Sequence, residues 1–563
     1  MTQNLLDEAP EPAPEEPRGA ATPARLTQSL WGARAAALRA RVVPWLDRLP
    51  GFGVMSLRVV IALAAVAAVV TYVVLGIVHL RYPFEIEWME GGMLDEVRRA
   101  LEGQKLYVKP TVEFVPFIYS PFYFYVAAAF SKVLGLSFFS ARLVSFLASL
   151  GVIAFVARFV HRETGGKLAA FLAAGVFAGT YHLSAGFYDI ARVDSLFVLL
   201  LLGALYLVRF RRSLASHVAA AALFTLALHT KQSASVIFLP VAAHVLLSNW
   251  RRGLVFSAAG AVMMVGSVLL LDWIHDGWFW YFVFWLPRQH PWVSRMWTDF
   301  WRYDLMTPLS VSCLFALYYW AVGRVAFALP AARAAEGSVP QDGGSAFAPP
   351  FDESRRFYLF AAVGMLGASW AGRLHSGGWP NVIMPGFAIL SILFGLGLQA
   401  GIEAAARLAA PRRLRVEAFL LAVAAVQFAC LAYDPDRYVP KPKDAEAGNH
   451  LLDRMRKYEG DIFLPAHGHL VTLVGKRPYA HEMAIGDILG IGGGPAGVDL
   501  RASIAKAIAD RRFGAIITDT DFFKKEIQQS YRREGRVFED KKVFWPVTGF
   551  RARPEAVNIP KKP

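Results

Sequence analysis

Cysteine is almost absent from this chain, which has 2 cysteines among 563 residues. Cys313 and Cys430 both lie in apolar runs, and no Cys-x-x-Cys or Cys/His spacing occurs. We therefore expect neither a disulfide framework nor a thiolate zinc site. Charge is also scarce, at 18% of residues, whereas a soluble protein of this length carries more charge and fewer apolar runs.

Long apolar runs are what the chain has in place of charge. It is 55% hydrophobic and 13% aromatic, and a run of ~20 apolar residues is long enough to cross the ~30 Å hydrocarbon core of a bilayer as a helix. The sequence therefore predicts a multi-pass membrane protein. The apolar segments are 55–80, 117–136, 138–160, 167–187, 194–210, 214–229, 233–249, 253–274, 307–329, 357–373, 380–400 and 414–433.

Basic residues are concentrated in alternate loops between these segments, which explains the formal net charge of +15 without a nucleic-acid partner. Loops rich in Lys and Arg stay in the cytoplasm. The loops near 158–167, 209–212, 251–252, 333–356 and 407–415 fit that side, and the loops between them are mixed in sign or poor in charge. The alternation predicts that the tail after residue 433 lies outside the cytoplasm.

The N-terminal residues 1–50 have a different character from the spans. Residues 1–24 are rich in Pro, Ala and Glu and are predicted to be disordered. Residues 25–50 carry five arginines and are predicted to be a cytoplasmic segment that leads into a first, uncleaved span.

One apolar segment does not fit the alternation of cytoplasmic and outer loops. A cytoplasmic N-terminus puts residue 81 outside and the basic loop at 158–167 puts residue 160 inside, yet two apolar segments lie between them. Segment 117–136 follows Pro116 and contains Pro121 and Lys132 among aromatic and small residues, as in a helix lying in the outer interface. We predict that it does not cross, which leaves 11 spans. The alternative is that it crosses and another segment does not.

Two further regions outside the spans are unusual. Residues 275–306 hold six tryptophans, which fit either an aromatic belt at the interface or a platform for a lipid tail or sugar ring. The tail, 434–563, is polar enough to be a small soluble α/β domain, with predicted strands at Asp461–Pro465 and Ala515–Thr518. The expected architecture is an all-α polytopic bundle over 51–433 with this α/β domain outside the membrane.

The first outer loop contains three carboxylates, Glu85, Glu87 and Glu90, between aromatic residues. Carboxylates at a membrane boundary are often simply solvated. Here the flanks are apolar, and partial burial would raise a carboxylate pKa and make it a candidate base.

Two more polar clusters lie in later outer loops. The run 188–195 holds Asp189 and Arg192, which are candidates for an ion pair, and Asp194, which fits a helix N-cap as well as a site residue. The short turn 229–232 holds His229, Lys231 and Gln232. A lysine there either extends its ammonium to the interface or meets an anionic lipid phosphate.

The fourth cluster, 373–381, contains Arg373, His375, Trp379 and Asn381 and lies on the same predicted side. All four clusters therefore face one compartment, which favours a shared site over four independent surface features.

These motifs resemble the GT-C superfamily of integral membrane glycosyltransferases. The chain is most similar to the dolichyl-phosphate-mannose protein mannosyltransferase type and to bacterial lipid A aminoarabinose transferases. The resemblance covers 55–433 and rests on short motifs: the acidic first loop, 99–107, Tyr119-Ser120-Pro121, Ala191-Arg192-Val193-Asp194, Lys231-Gln232 and Gly377-Gly378-Trp379-Pro380-Asn381. The family places an Asp-Glu pair in its first loop, where this chain has Glu87 and Glu90 in a Glu-x-x-Glu pattern.

The resemblance implies transfer of a hexosyl or pentosyl group, with inversion, from a polyprenyl-phosphate sugar to a lipid, glycan or protein acceptor. The site would face outward from the cell inner (plasma) membrane. It implies Glu87 or Glu90 as base and Asp194 at the second acidic position. Lys231, Arg192, His375 and Arg373 would bind the donor phosphate, and Asp189, His229, Gln232, Trp379 and Asn381 would line the substrate site. The resemblance leaves open whether the reaction needs a divalent metal.

A lipid or polysaccharide transporter or polymerase is the alternative function. It predicts charges in the middle of spans and an internal repeat. We find no repeat, and the middles of the apolar runs are nearly free of charge.

Overall fold

The computed structural model describes residues 51–335, 352–490 and 493–562. The N-terminal segment 1–50, predicted to be disordered over 1–24 and basic over 25–50, lies outside this range. The first described helix begins at Gly51. The long helices of the membrane region are α1 Gly51–Arg81, α2 Glu90–Leu101, α3 Phe122–Leu134, α4 Phe138–Thr164, α5 Lys167–Gly179, α6 Asp194–Phe210, α7 Leu214–Leu228, α8 Ala234–Ser248, α9 Trp250–Ile274, α10 Thr307–Ala335, α11 Glu353–Leu374, α12 Met384–Ala406 and α13 Ala410–Cys430.

Short helical turns join these elements on the side of the polar clusters. They lie at His182–Ser184, Trp278–Trp280, Tyr281–Trp285, Pro287–Gln289, Met296–Asp299, Phe300–Met306, Pro380–Ile383 and Pro435–Tyr438.

Five of the described helices are long and apolar enough to cross a membrane, and a sixth is added if the bent pair Ala410–Cys430 and Pro435–Arg456 forms one span. Helices α5, α6, α7 and α8 have 13 to 17 residues and are short for independent spans. A multi-pass helical bundle is thus confirmed at this coarser level. The count of 11 spans stays a prediction.

Helix α12 forms the centre of the bundle, because 94% of its most apolar stretch, within Pro380–Ala406, is buried. It packs against α4, α5, α10, α11 and α13. Helix α9 lies at the periphery, with only 17% of its corresponding stretch buried. A core of Phe, Leu, Ile and Ala side chains joins these helices.

Helix α4 fixes the two ends of the bundle. Ser137 and Ser140 form a capping box at its start, and Gly165, at φ 71°, ends it in the left-handed conformation that favours glycine. Arg142 and Glu163 lie ~30 Å apart along this helix, about one bilayer thickness. At the Glu163 end, Arg209 Nε donates to Glu163 over 3.0 Å and Ser354 Oγ over 2.6 Å. Basic loops that the sequence assigns to the cytoplasm therefore meet at one end.

Helix α3 begins and ends at the opposite end of the bundle. The amide of Phe122 donates to the carbonyl of His229 over 2.7 Å, and Tyr123 Oη donates to the carbonyl of Ala141, in the first turn of α4, over 2.9 Å. After α3 ends, three residues lead into α4 at the same end. The segment 117–136 thus begins and ends near the same end of the bundle. That it does not cross the membrane stays a prediction.

The tail forms a small mixed domain around one sheet. Its strands are β1 Asp461–Phe463, β2 Phe513–Thr518, β3 Tyr531–Arg536 and β4 Ala556–Pro560, in the order β1-β2-β4-β3. Strands β1 and β2 are parallel and the other pairs antiparallel. The two predicted strands are present. The helices are α14 Pro442–Arg456, α15 Glu482–Gly490, α16 Gly494–Ala509 and α17 Lys524–Ser530, with a 3-10 segment at Pro465–Val474.

This domain packs onto the first outer loop and is not a separate appendage. Glu87 forms an isolated bridge with Thr548, and Phe84 stacks edge-on against Phe544 with ring centroids 5.5 Å apart. Helix α2 packs against the Pro465–Val474 segment. The C-terminal domain therefore covers the end of the bundle that carries the polar clusters.

Candidate active site

The loop between α1 and α2 is held by a buried ion pair. Arg142 donates from Nε to Glu90 Oε1 over 2.8 Å and from Nη2 to Oε2 over 2.6 Å. The same guanidinium donates to the carbonyls of His79, Tyr82 and Phe84 over 2.6 to 2.9 Å. Both side chains are fully buried. Arg142 therefore folds the loop back over the end of α4.

Glu90 has no capacity left for substrate. Its carboxylate also accepts the amides of Ala191, over 2.8 Å, and Ile86, over 2.7 Å. Burial raises the pKa of Glu90, but Arg142 and these amides outweigh it, and the net pKa is lowered. A carboxylate so fully paired has a structural role, since accepting a proton would break the network.

Glu87 lies one turn away in a different setting. Its Oε2 accepts from Arg192 Nη1 over 3.0 Å and from the Met89 amide over 3.3 Å. Within the described residues no donor reaches Oε1, which faces Gly549. A Cβ at Gly549 would lie 2.6 Å from Glu87 Cγ, so glycine lets the chain approach this closely.

The pKa of Glu87 is raised to about 7. Burial is the largest cause, the Arg192 guanidinium opposes it, and the nearby negative charge of Glu90 adds to it. A carboxylate with a pKa near neutrality is a suitable general base at physiological pH. Between the two candidate bases, the geometry thus favours Glu87.

A second ion pair extends the network away from Glu87. Arg192 also donates to the Tyr119 hydroxyl, and its guanidinium lies over the Tyr119 ring. Lys231 Nζ donates to Asp194 Oδ1 over 2.5 Å. Asp194 Oδ2 and Arg192 Nε are buried without a partner in the described part of the chain. Arg192, which contacts the candidate base, thus has an unused donor, and Lys231 pairs with Asp194 two residues further along the chain.

Asp189 does not pair with Arg192, and the expected ion pair between them is wrong. Asp189 Oδ2 lies 2.6 Å from His79 Nδ1, and His79 Nε2 lies 2.6 Å from the carbonyl of Tyr438. The chain reverses between 189 and 192, so the two side chains point to different neighbours. Asp189 thus holds His79 of α1, and His79 contacts the start of the C-terminal domain.

His229 and Gln232 hold the outer turn in place around Lys231. His229 Nε2 lies 2.6 Å from Ser267 Oγ. The Gln232 amide donates to the carbonyls of Ile118 and Val283 over 2.8 and 2.9 Å. Both side chains therefore position neighbouring segments, and their predicted contact with substrate stays a prediction.

The residues of the fourth cluster have partners of their own. Arg373 Nε donates to Asp304 over 2.7 Å, and His375 forms a bridge with Trp292. Trp379 is exposed and Asn381 is buried in the turn Pro380–Ile383. Among the described residues, no hydrogen bond or ion pair joins Arg373, His375, Trp379 or Asn381 to Glu87, Arg192, Asp194 or Lys231.

Two residues of the network escaped the sequence reasoning, although each left a signal. Arg142 is a charge inside an apolar run, and ionisable residues there usually have a function. Tyr119 lies in one of the short motifs but was not predicted to be in the site. The described residues contain no group of three or more His, Cys, Asp or Glu side chains suited to a metal ion.

Comparison with known proteins finds one family match and several matches of fold. The family model described as Dolichyl-phosphate-mannose-protein mannosyltransferase matches residues 116–275, the segment that supplies Tyr119, Arg192, Asp194 and Lys231. No curated protein matches the chain in sequence. ArnT from Cupriavidus metallidurans bound to undecaprenyl phosphate superposes with a TM-score of 0.51 at 16% identity, covering 88% of this chain and 97% of ArnT.

The resemblance to the GT-C glycosyltransferases is confirmed. ArnT in the apo state gives a TM-score of 0.50 at 14% identity, with 88% of this chain and 97% of ArnT covered. The oligosaccharyltransferase AglB from Archaeoglobus fulgidus, in complex with an inhibitory peptide and a dolichol-phosphate, gives 0.46 at 13% identity, with 84% and 70% covered. The ArnT comparisons establish a shared fold over nearly the whole of ArnT.

Proposed function

We propose that this GT-C-like chain transfers a sugar from a polyprenyl-phosphate-linked donor to an acceptor at the outer face of the cytoplasmic membrane. The observation that carries the proposal is the buried Glu87 carboxylate. It has a pKa of about 7, an Oε1 that no donor of the described residues reaches, and the Arg192 guanidinium beside it. The solved ArnT structure with undecaprenyl phosphate supports a donor of this lipid class.

Lys231 and Arg192 are proposed to bind the donor phosphate. An ammonium has three donors, and Asp194 uses one of those of Lys231. The Arg192 Nε is buried without a partner in the described residues. As the bond between sugar and phosphate breaks, negative charge grows on the phosphate, and fixed cations in a poorly hydrated site stabilise that transition state. Asp194 is proposed to hold Lys231 in position.

The chemical step is a single displacement. The acceptor hydroxyl attacks the anomeric carbon from the face opposite the phosphate, and its proton passes to Glu87. The bond between the anomeric carbon and the phosphate oxygen breaks, and the polyprenyl phosphate leaves with the electron pair. The product has inverted configuration, as the family resemblance implies.

The exposed tryptophans near Arg373 and His375 are proposed to guide the donor lipid. Trp292, Trp297 and Trp301 are exposed beside the segment that carries Arg373 and His375. An exposed aromatic row next to a polar cluster suits the boundary where a lipid tail meets its headgroup. The 11-span topology, with Lys231 and residues 434–563 outside, is part of the same proposal.

Direct assay tests the function. The chain purified in detergent, incubated with a panel of polyprenyl-phosphate hexoses and pentoses and a panel of hydroxyl-bearing lipid, glycan and peptide acceptors, should release polyprenyl phosphate from at least one donor and form the matching glycosylated acceptor. Glu87→Gln should abolish this release, and Glu102→Gln, at an exposed carboxylate on the neighbouring helix end, should leave it unchanged. Release at the same rate by wild type and Glu87→Gln would refute the proposed site.

A further inference from the structure

A cavity lies between the first outer loop and the C-terminal domain, apart from the Arg192 and Lys231 cations. Its volume is about 290 Å³. Trp88 and Phe550 line one part of it, and Glu482, Asp487 and Asp519 supply carboxylates. The lining residues come from the loop before α2, the Pro465–Val474 segment, helix α15, the segment after strand β2 and the segment before strand β4. No sequence motif unites them.

Two carboxylates of this cavity each have one buried oxygen that accepts no hydrogen bond from the described residues. The Asp519 side chain is 2% exposed, and its Oδ1 has no hydrogen-bond partner among the described residues. The same holds for Glu482 Oε2, whereas Glu482 Oε1 accepts from Thr520 Oγ1 over 2.8 Å. A buried acceptor without a donor costs free energy, so these oxygens point to a ligand that donates hydrogen bonds.

Asp519 is held rigidly in this position. His467 Nε2 lies 2.8 Å from Asp519 Oδ2, and the other ring nitrogen of His467 contacts Glu85. Glu85 belongs to the loop that carries Glu87. One buried imidazole thus ties the cavity floor to the loop of the candidate base.

The aromatic wall brings the cavity next to Glu87 in two ways. The Trp88 and Phe550 rings have centroids 5.4 Å apart. Each residue is also next in the chain to Glu87, the candidate base, or to a residue that contacts it. Trp88 follows Glu87 in the chain, and Phe550 follows Gly549, which touches the Glu87 carboxylate. A group bound in the cavity therefore lies against the same two chain segments that surround Glu87.

We propose that this cavity is the acceptor site and that it takes one neutral sugar unit, whose hydroxyl becomes the nucleophile. This inference rests on the proposed function and names its acceptor class. Carboxylate oxygens accept hydrogen bonds from sugar hydroxyls, and aromatic rings pack against the apolar face of a pyranose. Asp487 and Asp519 are paired with His290 and His467, so Glu482 is the carboxylate left to repel a phosphate or another anionic group. The volume limits the occupant to about one ring.

Binding can be measured without transfer. The full chain in detergent is tested by saturation-transfer NMR against neutral methyl hexosides and methyl pentosides, with a simple alkylammonium and inorganic phosphate as the other probes. Phe550→Ala and Glu482→Gln remove the wall and the free acceptor. Phe419→Ala, at a phenylalanine 60% exposed, and Glu539→Gln, at an exposed carboxylate of the same domain, are the matched controls.

We expect at least one neutral glycoside to bind the wild type and both controls, and to bind Phe550→Ala and Glu482→Gln about tenfold more weakly. Phe550 is 53% exposed, so its truncation leaves folding intact. Three results would overturn the inference: no glycoside binds, the cavity variants bind as the controls do, or only the ammonium or phosphate probe binds. A chain that binds glycosides but releases no polyprenyl phosphate would keep this cavity and refute the proposed function.

Discussion

At the scale of single residues, Glu87 and Glu90 lie three positions apart and meet different partners. Glu90 accepts hydrogen bonds from Nε and Nη2 of Arg142 and from two backbone amides. Glu87 accepts from Arg192 with one carboxylate oxygen, and no donor of the described residues reaches the other. The first arrangement stabilises the ionised form at any physiological pH. The second leaves a proton acceptor whose pKa is about 7.

The pH profile of transfer should follow Glu87. A general base works only when it is ionised, so kcat/KM should fall tenfold per pH unit below about 7 and level off above it. Glu87→Asp, which keeps a carboxylate in a shifted position, should retain a profile of this form with a different midpoint. Initial rates between pH 5 and 9 provide the measurement. A wild-type profile that is flat across this range would remove Glu87 from the role of base.

Lys231 should affect turnover and not merely donor binding. Lys231→Ala should lower the rate at saturating donor by about 10²-fold, because the lost cation stabilises charge that grows in the transition state. Lys231→Arg should keep part of the rate, since the charge survives in another geometry. A lysine that only extends to the interface would tolerate both changes.

A stability control accompanies Lys231, because Lys231→Ala leaves the buried Asp194 without its cation. The double variant Asp194→Asn/Lys231→Gln removes both charges together, so it should fold as the wild type does and still be slow. Equal transfer by wild type, Lys231→Ala and the double variant, at matched expression and thermal stability, would exclude a phosphate site here.

At the scale of elements, the Arg142–Glu90 clamp joins α4, the loop after α1 and the chain before α6. Both side chains are fully buried, and removing one partner of such a pair costs roughly 3–5 kcal/mol, because the other charge stays buried and unpaired. Glu90→Gln and Arg142→Met should therefore each lower the thermal unfolding midpoint in detergent markedly.

The double variant Glu90→Leu/Arg142→Met should recover part of that loss, since no charge is left buried. This distinguishes a structural clamp from a catalytic role for Glu90. If Glu90→Gln unfolded at the wild-type temperature and yet failed to transfer, Glu90 would belong to the chemistry after all.

At the scale of the whole molecule, the two ends of the bundle separate by charge. Basic loops meet around Glu163 at one end, and the acidic loop, Lys231 and the C-terminal domain meet at the other. With Cys313 and Cys430 replaced, single cysteines at Gln104, Lys167 and Val498 report the side of each end. All three positions are exposed.

An impermeant thiol reagent applied to whole cells should label the cysteines at 104 and 498 and spare the one at 167, because basic loops stay in the cytoplasm. Permeabilised cells should label all three, which controls for reactivity. Labelling of position 167 in intact cells would invert the proposed topology.

The sequence alone determined the features that depend on local pattern. Apolar length predicted the helical bundle, and charge in the loops sorted its two ends. The proline and lysine of segment 117–136 indicated a helix that does not cross. Short motifs were enough to reveal the resemblance to GT-C glycosyltransferases, because residues such as Arg192, Asp194 and Lys231 occur at family spacings within single loops.

Only the tertiary structure decided which partner each charge meets, because those partners are distant in the chain. Glu90 pairs with Arg142, 52 positions away, and Asp189 pairs with His79, 110 positions away. The cavity joins Trp88 to Asp519 and Phe550 through packing of the C-terminal domain. Loop charges carry no signal of such contacts, since burial and pairing arise only when helices and the sheet domain pack together.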